Sequence, residues 1–175
     1  MKEDLNTLRN AFQIASGEVI SLVGGGGKTT LMFALARELA ISGKVVITTT
    51  TTKIFPPDST DSPCLLISGD AREIIDFIVK EGPRKGHVTI ASEVELAPGK
   101  LRGIPPELIS MLSEMESVAT IIVEADGAAH RSLKAPNIDY EPVIPANSSL
   151  VIPVIGIDVL GCEMREEYVF RSDIA

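Results

Sequence analysis

Four consecutive glycines, Gly24, Gly25, Gly26 and Gly27, run directly into Lys28, Thr29 and Thr30. The chemistry this combination can do is phosphate binding. Glycine permits positive φ, so successive backbone N–H groups can converge on an anion as a nest. A helix starting at the lysine adds free N–H groups and the positive end of its dipole. Lys28 is then expected at the solvent border of the site, reaching the β- and γ-phosphates of a nucleotide. The Thr29 hydroxyl is expected to coordinate Mg2+, and Thr30 to contact the α-phosphate.

The strict pattern G-x-x-x-x-G-K-[ST] requires glycine at position 22, where this chain has Leu22. What stands here is G-x-x-G-K-T-T. That shorter loop resembles those of Mur-type ligases and lipid A 4′-kinases. It is also similar to the K-G-G-x-G-K-T-T loop of SIMIBI NTPases, with Val23 in place of their lysine, so no trans-acting lysine is expected. A dinucleotide-binding loop fits poorly. Its third glycine would fall on Thr29 or Thr30, and the second strand ends in threonines where that motif wants an acid.

A second group of residues carries acids. Ile121, Ile122 and Val123 lead into Glu124 and Asp126. On an extended backbone these two carboxylates project to one side. At the carboxyl end of a parallel strand they would face the ligand crevice. There they are expected to hold Mg2+ with Thr29 and to orient a nucleophile, so Lys28, Glu124 and Asp126 form the candidate catalytic set. The threonine run from 48 to 52 suits a strand. Its end, Thr51, Thr52 and Lys53, is a candidate γ-phosphate sensor. His130, Arg131 and Lys134 could bind a transferred phosphoryl group or an anionic substrate, or simply form a solvated loop. Asp158, after a late strand, is a candidate base contact. His87 reads as an ordinary strand residue.

The elements that must position these groups are legible from apolar spacing and punctuation. Short β-branched runs at 18–23, 45–50, 64–68, 87–91, 120–123 and 149–155 read as strands, the last weakened by Pro153. Helices are expected at 28–41, closed by Gly43, at 71–80, capped by Asp70 and ended by Gly82 and Pro83, and at 105–116. An irregular hairpin is expected over 96–104, and the Pro-rich stretch 135–145 is the longest loop. Alternating strands and helices predict an α/β protein: a three-layer P-loop NTPase-like fold, with a mainly parallel sheet flanked by helices, as one domain over 1–175.

Composition narrows the partners. The 175 residues carry 16 Lys+Arg against 24 Asp+Glu, a net charge of -8. Such a body repels nucleic acid and anionic lipid. The absence of Trp and 4% aromatic content argue against base-stacking platforms. No apolar run approaches the length of a membrane span. Two cysteines, Cys64 and Cys162, show no metal or disulfide spacing, which points to a reducing cytoplasm.

Taken in order, SLVGGGGKTTLMFALAREL, ITTTTTKIF, GKLRGIPPELI, VEADGAAHRSLKAP, EPVIP and VIGIDVLG resemble the YqeC family, accessory proteins of selenium-dependent molybdenum hydroxylases. The VEADGAAHR segment with the downstream KAP and EPVIP is the specific part. The resemblance implies a P-loop NTPase fold. It implies a role in maturing a selenium-containing molybdenum cofactor, with a molybdenum hydroxylase or a cofactor-maturation protein as partner. It places Lys28 and Thr29 in the nucleotide loop and Glu124, Asp126, His130 and Arg131 in the acidic motif. Similar proteins continue into further helices beyond Ala175, so the resemblance leaves this chain as either a truncated or a shorter member. Three functions compete at this point. One is an NTP hydrolase using ATP or GTP with Mg2+. The others are a small-molecule kinase or ligase and a non-catalytic nucleotide-sensing scaffold. The missing Asn-Lys-x-Asp signature leans toward ATP.

Overall fold

A computed structural model describes residues 7–40, 43–97, 99–137 and 139–175. Its centre is a six-stranded sheet built from β1 (Val19–Gly24), β2 (Val45–Thr50), β4 (Leu65–Ile67), β5 (His87–Ala91), β8 (Val118–Glu124) and β10 (Leu150–Val154). The spatial order is β10-β1-β8-β2-β5-β4, and every neighbouring pair is parallel. Parallel neighbours need crossovers, and helices supply several of them: α2 (Lys28–Leu39) between β1 and β2, α3 (Ala71–Lys80) and one-turn α4 (Gly82–Lys85) between β4 and β5, and α5 (Pro106–Ser113) before β8.

Period-two alternation assigns the strand side chains to two cores. Ile20, Leu22, Val46 and Ile122 face α2 and the short α1 (Leu8–Ala11), burying Met32, Leu35 and Leu39. Val19, Val45, Ile47, Ile121 and Val123 point the other way, onto Ile74 and Ile78 of α3 and Leu108, Ile109 and Leu112 of α5. The result is the expected three-layer α/β arrangement, with helices on both faces of a parallel sheet. Among the described residues no helix is long and apolar enough to cross a membrane.

Several boundaries differ from expectation. Helix α2 is capped by Ala40, not Gly43; its expected end at Ile41 lies outside the described residues. Gly82 and Pro83 do not simply stop α3 but open α4, proline being tolerated in a first helical turn. Helix α5 ends at Ser113, three residues early. Pro153 does sit in a strand, because β10 is at the sheet edge, where a missing N–H costs no ladder bond. The hairpin expected over 96–104 forms, but its first strand starts earlier, outside that span. β6 (Glu93–Val94) and β7 (Leu101–Arg102) pair antiparallel, and β3 (Lys53–Ile54) joins β7 to make a three-stranded flap. A further pair, β9 (Leu133–Lys134) and β11 (Val169–Phe170), lies beyond every expected strand.

Candidate functional site: the glycine loop and the acidic strand end

The register of the central sheet builds the site. β1 and β8 are direct neighbours, with Leu22 level with Glu124, and on the other side Thr50 of β2 is level with Glu124 as well. Two residues further on, Gly24 and Asp126 meet: the Gly24 N–H donates to the Asp126 carboxylate at 3.0 and 3.2 Å. The glycine loop and the acidic motif are therefore joined by a hydrogen bond where the two strands end.

The loop needs its glycines for close approach. A Cβ on Gly24 would lie 2.5 Å from the Val154 carbonyl oxygen, and one on Gly25 would lie 2.1 Å from that of Ser132. Gly24 (φ +102°) and Gly27 (φ +92°) also occupy the left-handed region. The loop runs between the end of β10 and Ser132, and the Gly25 and Gly26 N–H groups donate to Val154 O (2.7 Å) and Ser132 O (3.3 Å). This narrows the expected anion nest, since the N–H groups of Gly24, Gly25 and Gly26 are bonded within the protein. The donors left for an anion are the Gly27 N–H and those of the first turn of α2. Its first helical bond is Leu31 N–H to Gly27 O (2.9 Å), so the N–H groups of Lys28, Thr29 and Thr30 have no intrahelical acceptor.

Lys28 does not border solvent as expected. It is 4% exposed, and its Nζ donates to Gly24 O (2.7 Å) and Gly25 O (3.2 Å) while pairing with Asp126 Oδ1 at 3.2 Å. Asp126, 2% exposed, also pairs with Lys134 at 3.2 Å, and Lys134 reaches Glu141 and Gly127 O at 2.6 Å each. Lys134 is thus part of a buried charge network, not of a solvated loop. Glu124 differs from Asp126 in its partners. Its Oε2 accepts the Thr29 hydroxyl at 2.6 Å, and its backbone oxygen accepts from Thr50 Oγ1 at 2.6 Å. Burial pushes the Glu124 carboxyl above the usual carboxylate range, opposed by the Thr29 bond and the Lys28 charge.

These groups open onto a cleft of about 290 Å³, lined by the loop from Gly25 to Thr29, by Glu124, and by residues from Gly127 to Arg131. Lys53 lines it too, with its Nζ on Glu95 at 2.7 Å. His130 (φ +61°) stacks on Phe55, ring centroids 6.1 Å apart, and Arg131 Nε donates to Glu166 O at 2.6 Å. Other candidates lie outside the cleft lining. Asp126 sits behind it. Thr51 donates to Val143 O at 2.7 Å, and Thr52 bonds Thr50 at 3.2 Å. Thr30 is exposed on α2. Asp158 accepts from Ser132 Oγ at 2.8 Å, on the outer side of the glycine loop.

Sequence reasoning missed Phe55, Lys100 and Ser132. Lys100 lines the cleft with its Nζ 4.7 Å above the Phe55 ring. A lone lysine after a Pro-Gly turn carries no local signal of that role. His87 behaves as expected of a strand residue. It is buried, Nε2 meets Thr48 Oγ1 at 2.9 Å, and burial with the nearby Arg37 charge pushes its pKa down to about 4.

Comparisons with known proteins agree with the resemblance. A family model described as YqeC protein matches residues 20–173. A protein of Escherichia coli (strain K12) carrying the name "Uncharacterized protein YqeC" is 38% identical over 159 residues, covering 87% of this chain and 57% of the relative. The chain thus spans little more than half the length of that relative. No solved structure matches. The matched span runs from β1 through β11 and includes the glycine loop, the acidic strand end and the flap, so the chain belongs to the YqeC family.

Proposed function

We propose that the chain binds ATP or GTP with Mg2+ in the cleft above the glycine loop and hydrolyses it as an accessory factor in maturing selenium-dependent molybdenum hydroxylases. The observation that carries the nucleotide reading is the Thr29 hydroxyl on the Glu124 carboxylate, at the first turn of a twelve-residue helix that follows a close-packed glycine loop. The helix start offers N–H donors and a positive dipole end to phosphate oxygens. Lys28 supplies a charge already held at the loop. Phosphate must draw it from Asp126, which keeps Lys134 and the Gly24 N–H as partners when it does.

The donor set suits Mg2+. This ion prefers hard oxygen ligands, keeps several waters and is commonly shared between one or two carboxylates and substrate phosphates. Thr29 Oγ1 and the Glu124 carboxylate are oxygens of that kind on the cleft wall. They would hold the ion, which would neutralise charge building on the phosphates. Asp126 is engaged by two lysines and an amide, and its part in this reading is to position Lys28 and the loop. The role in hydroxylase maturation rests on the family, and a cytoplasmic location on the two free cysteines, Cys64 and Cys162.

Calorimetry with ATP and GTP, with and without Mg2+, tests the reading on the wild type and on Lys28→Ala. Mg2+-dependent binding that disappears in the variant is expected. Binding that survives in Lys28→Ala, or no binding to a folded wild type, overturns it. Phosphate release stimulated by an apo-hydroxylase is the expected sign of the accessory role, and its absence with every such partner counts against that role.

A further inference from the structure

A second cavity, of about 500 Å³, opens beside the cleft and shares Lys53, Lys100 and Gly127 with it. Its own walls add Arg102 and Thr52, and its one acid is Glu141. Three cations converge here on a body whose net charge is -8. Their neutralisation is incomplete. Glu95 is shared by Lys53 (2.7 Å) and Arg102 (3.0 Å), Glu93 pairs with Arg102 at 3.1 Å, and Glu141 is held by the buried Lys134. Lys100 has no carboxylate partner among the described residues. Its Nζ lies over Phe55, and its charge acts on the Glu124 carboxyl.

The flap is set against the sheet in a way that fixes this geometry. Gly103 follows β7 so closely over β2 that a Cβ would fall 1.6 Å from Thr50 O, and its N–H donates to Thr52 O at 3.1 Å. Arg102 is thereby carried to the end of β2, next to the residues that level with Glu124.

We infer that this second cavity is a subsite for a small molecule bearing a carboxylate or phosphate oxyanion, held by Lys100 and Arg102. Both groups donate charge-assisted bonds to oxyanions, and the guanidinium does so through a planar fork. The shared wall at Lys53 and Lys100 makes such a molecule the neighbour of whatever fills the cleft. Its place as co-substrate of a nucleotide rests on the reading above, whereas its binding does not.

Malonate and inorganic phosphate, titrated separately into the nucleotide-free full chain by calorimetry, test the subsite. At least one is expected to bind, with affinity falling about tenfold in Arg102→Gln, the loss of one charge-assisted contact. A further fall is expected when Lys100→Ala is added, and a smaller fall in Lys28→Ala than in Arg102→Gln. Malonate alone would mark a carboxylate co-substrate and phosphate alone a phosphorylated one. Failure of both to bind overturns the subsite. So does binding that is lost in Lys28→Ala and kept in Arg102→Gln, which would put the anion on the glycine loop. A separate Mg-ATP titration keeps the two readings apart. Oxyanion binding without ATP binding overturns only the nucleotide reading, and ATP binding without oxyanion binding overturns only the subsite.

Discussion

Asp126 and Glu95 are each shared between two cations. Asp126 lies between Lys28 and Lys134, with side chains 2%, 4% and 0% exposed. Glu95 lies between Lys53 and Arg102, with side chains 14%, 48% and 54% exposed. The charge pattern is the same, and the surroundings differ. Water solvates Lys53 and Arg102 whether or not Glu95 is there, so that cluster holds little folding energy and its cations stay available to a ligand. The buried cluster has no such reserve. Each of its charges depends on the others, which fixes Lys28 and the loop in place and makes the site costly to disturb.

The largest expected effect is therefore at Asp126. Asp126→Ala leaves Lys28 and Lys134 buried around an absent counter-charge and removes the acceptor of the Gly24 N–H. A loss of about 3–5 kcal/mol is expected for breaking a buried pair from one side, read as a fall in the urea midpoint at unchanged slope. A loss no greater than that of an exposed pair would erase the contrast between the clusters.

Such measurements have to be made at neutral pH, because His87 adds its own dependence. In the unfolded chain it takes a proton near 6.5, while in the folded protein burial holds it neutral down to about 4. Between those values the unfolded chain binds more protons, so stability falls as pH drops from about 6.5 to about 4, by up to about 3 kcal/mol in all. Glu124 works in the opposite sense. Its raised carboxyl keeps a proton in the folded state at pH values where the unfolded chain has lost it, so it loses stability as pH rises just above the normal glutamate range. Urea unfolding across pH should show a flatter slope in His87→Gln than in the wild type. An unchanged slope would mean that the imidazole is not held neutral.

Much of this was readable in advance, and the limits are physical. Strand β2, helix α3 with its Asp70 cap, and strand β5 match expectation to the residue, because β-branched runs and an N-cap are local signals. The strands of the flap are two residues each, too short to show a period. What makes Gly25 and Gly103 necessary is backbone from elsewhere in the chain, Ser132 and Thr50, that no local window contains. The same holds for the charges. The pairing of Glu124 with Thr29 crosses from one strand end to the next helix start, and a parallel register suffices to suggest it. That Asp126 turns to two buried lysines, and Glu124 to the cleft, depends on β9 and the chain around Glu141, which had no strand signal at all.

Lys28→Met is expected to be milder than Asp126→Ala. The thioether keeps much of the buried stem's packing, and Asp126 retains Lys134 and the Gly24 N–H. A loss of about 1–3 kcal/mol fits a buried group that keeps part of its partner set, while nucleotide binding is expected to vanish. Calorimetry and urea unfolding on one preparation separate the two effects. A variant as unstable as Asp126→Ala would show that Lys134 alone does not satisfy Asp126.

Glu95→Gln is expected to have the smallest effect on folding and an informative one on binding. The substitution frees Lys53 and Arg102 from their shared carboxylate, and both are already half exposed, so the urea midpoint should stay within measurement error. The second cavity, however, becomes more positive by one charge at its rim. Malonate or phosphate affinity should rise by a factor of about two to three at low salt, and the gain should shrink as salt screens it. The exposed cluster would then differ from the buried one in a second respect, since removing its acid strengthens what the cations can hold instead of collapsing their positions. If Glu95→Gln instead weakens the anion, Glu95 orients Arg102 as Asp126 orients Lys28, and the two clusters serve one purpose at different depths.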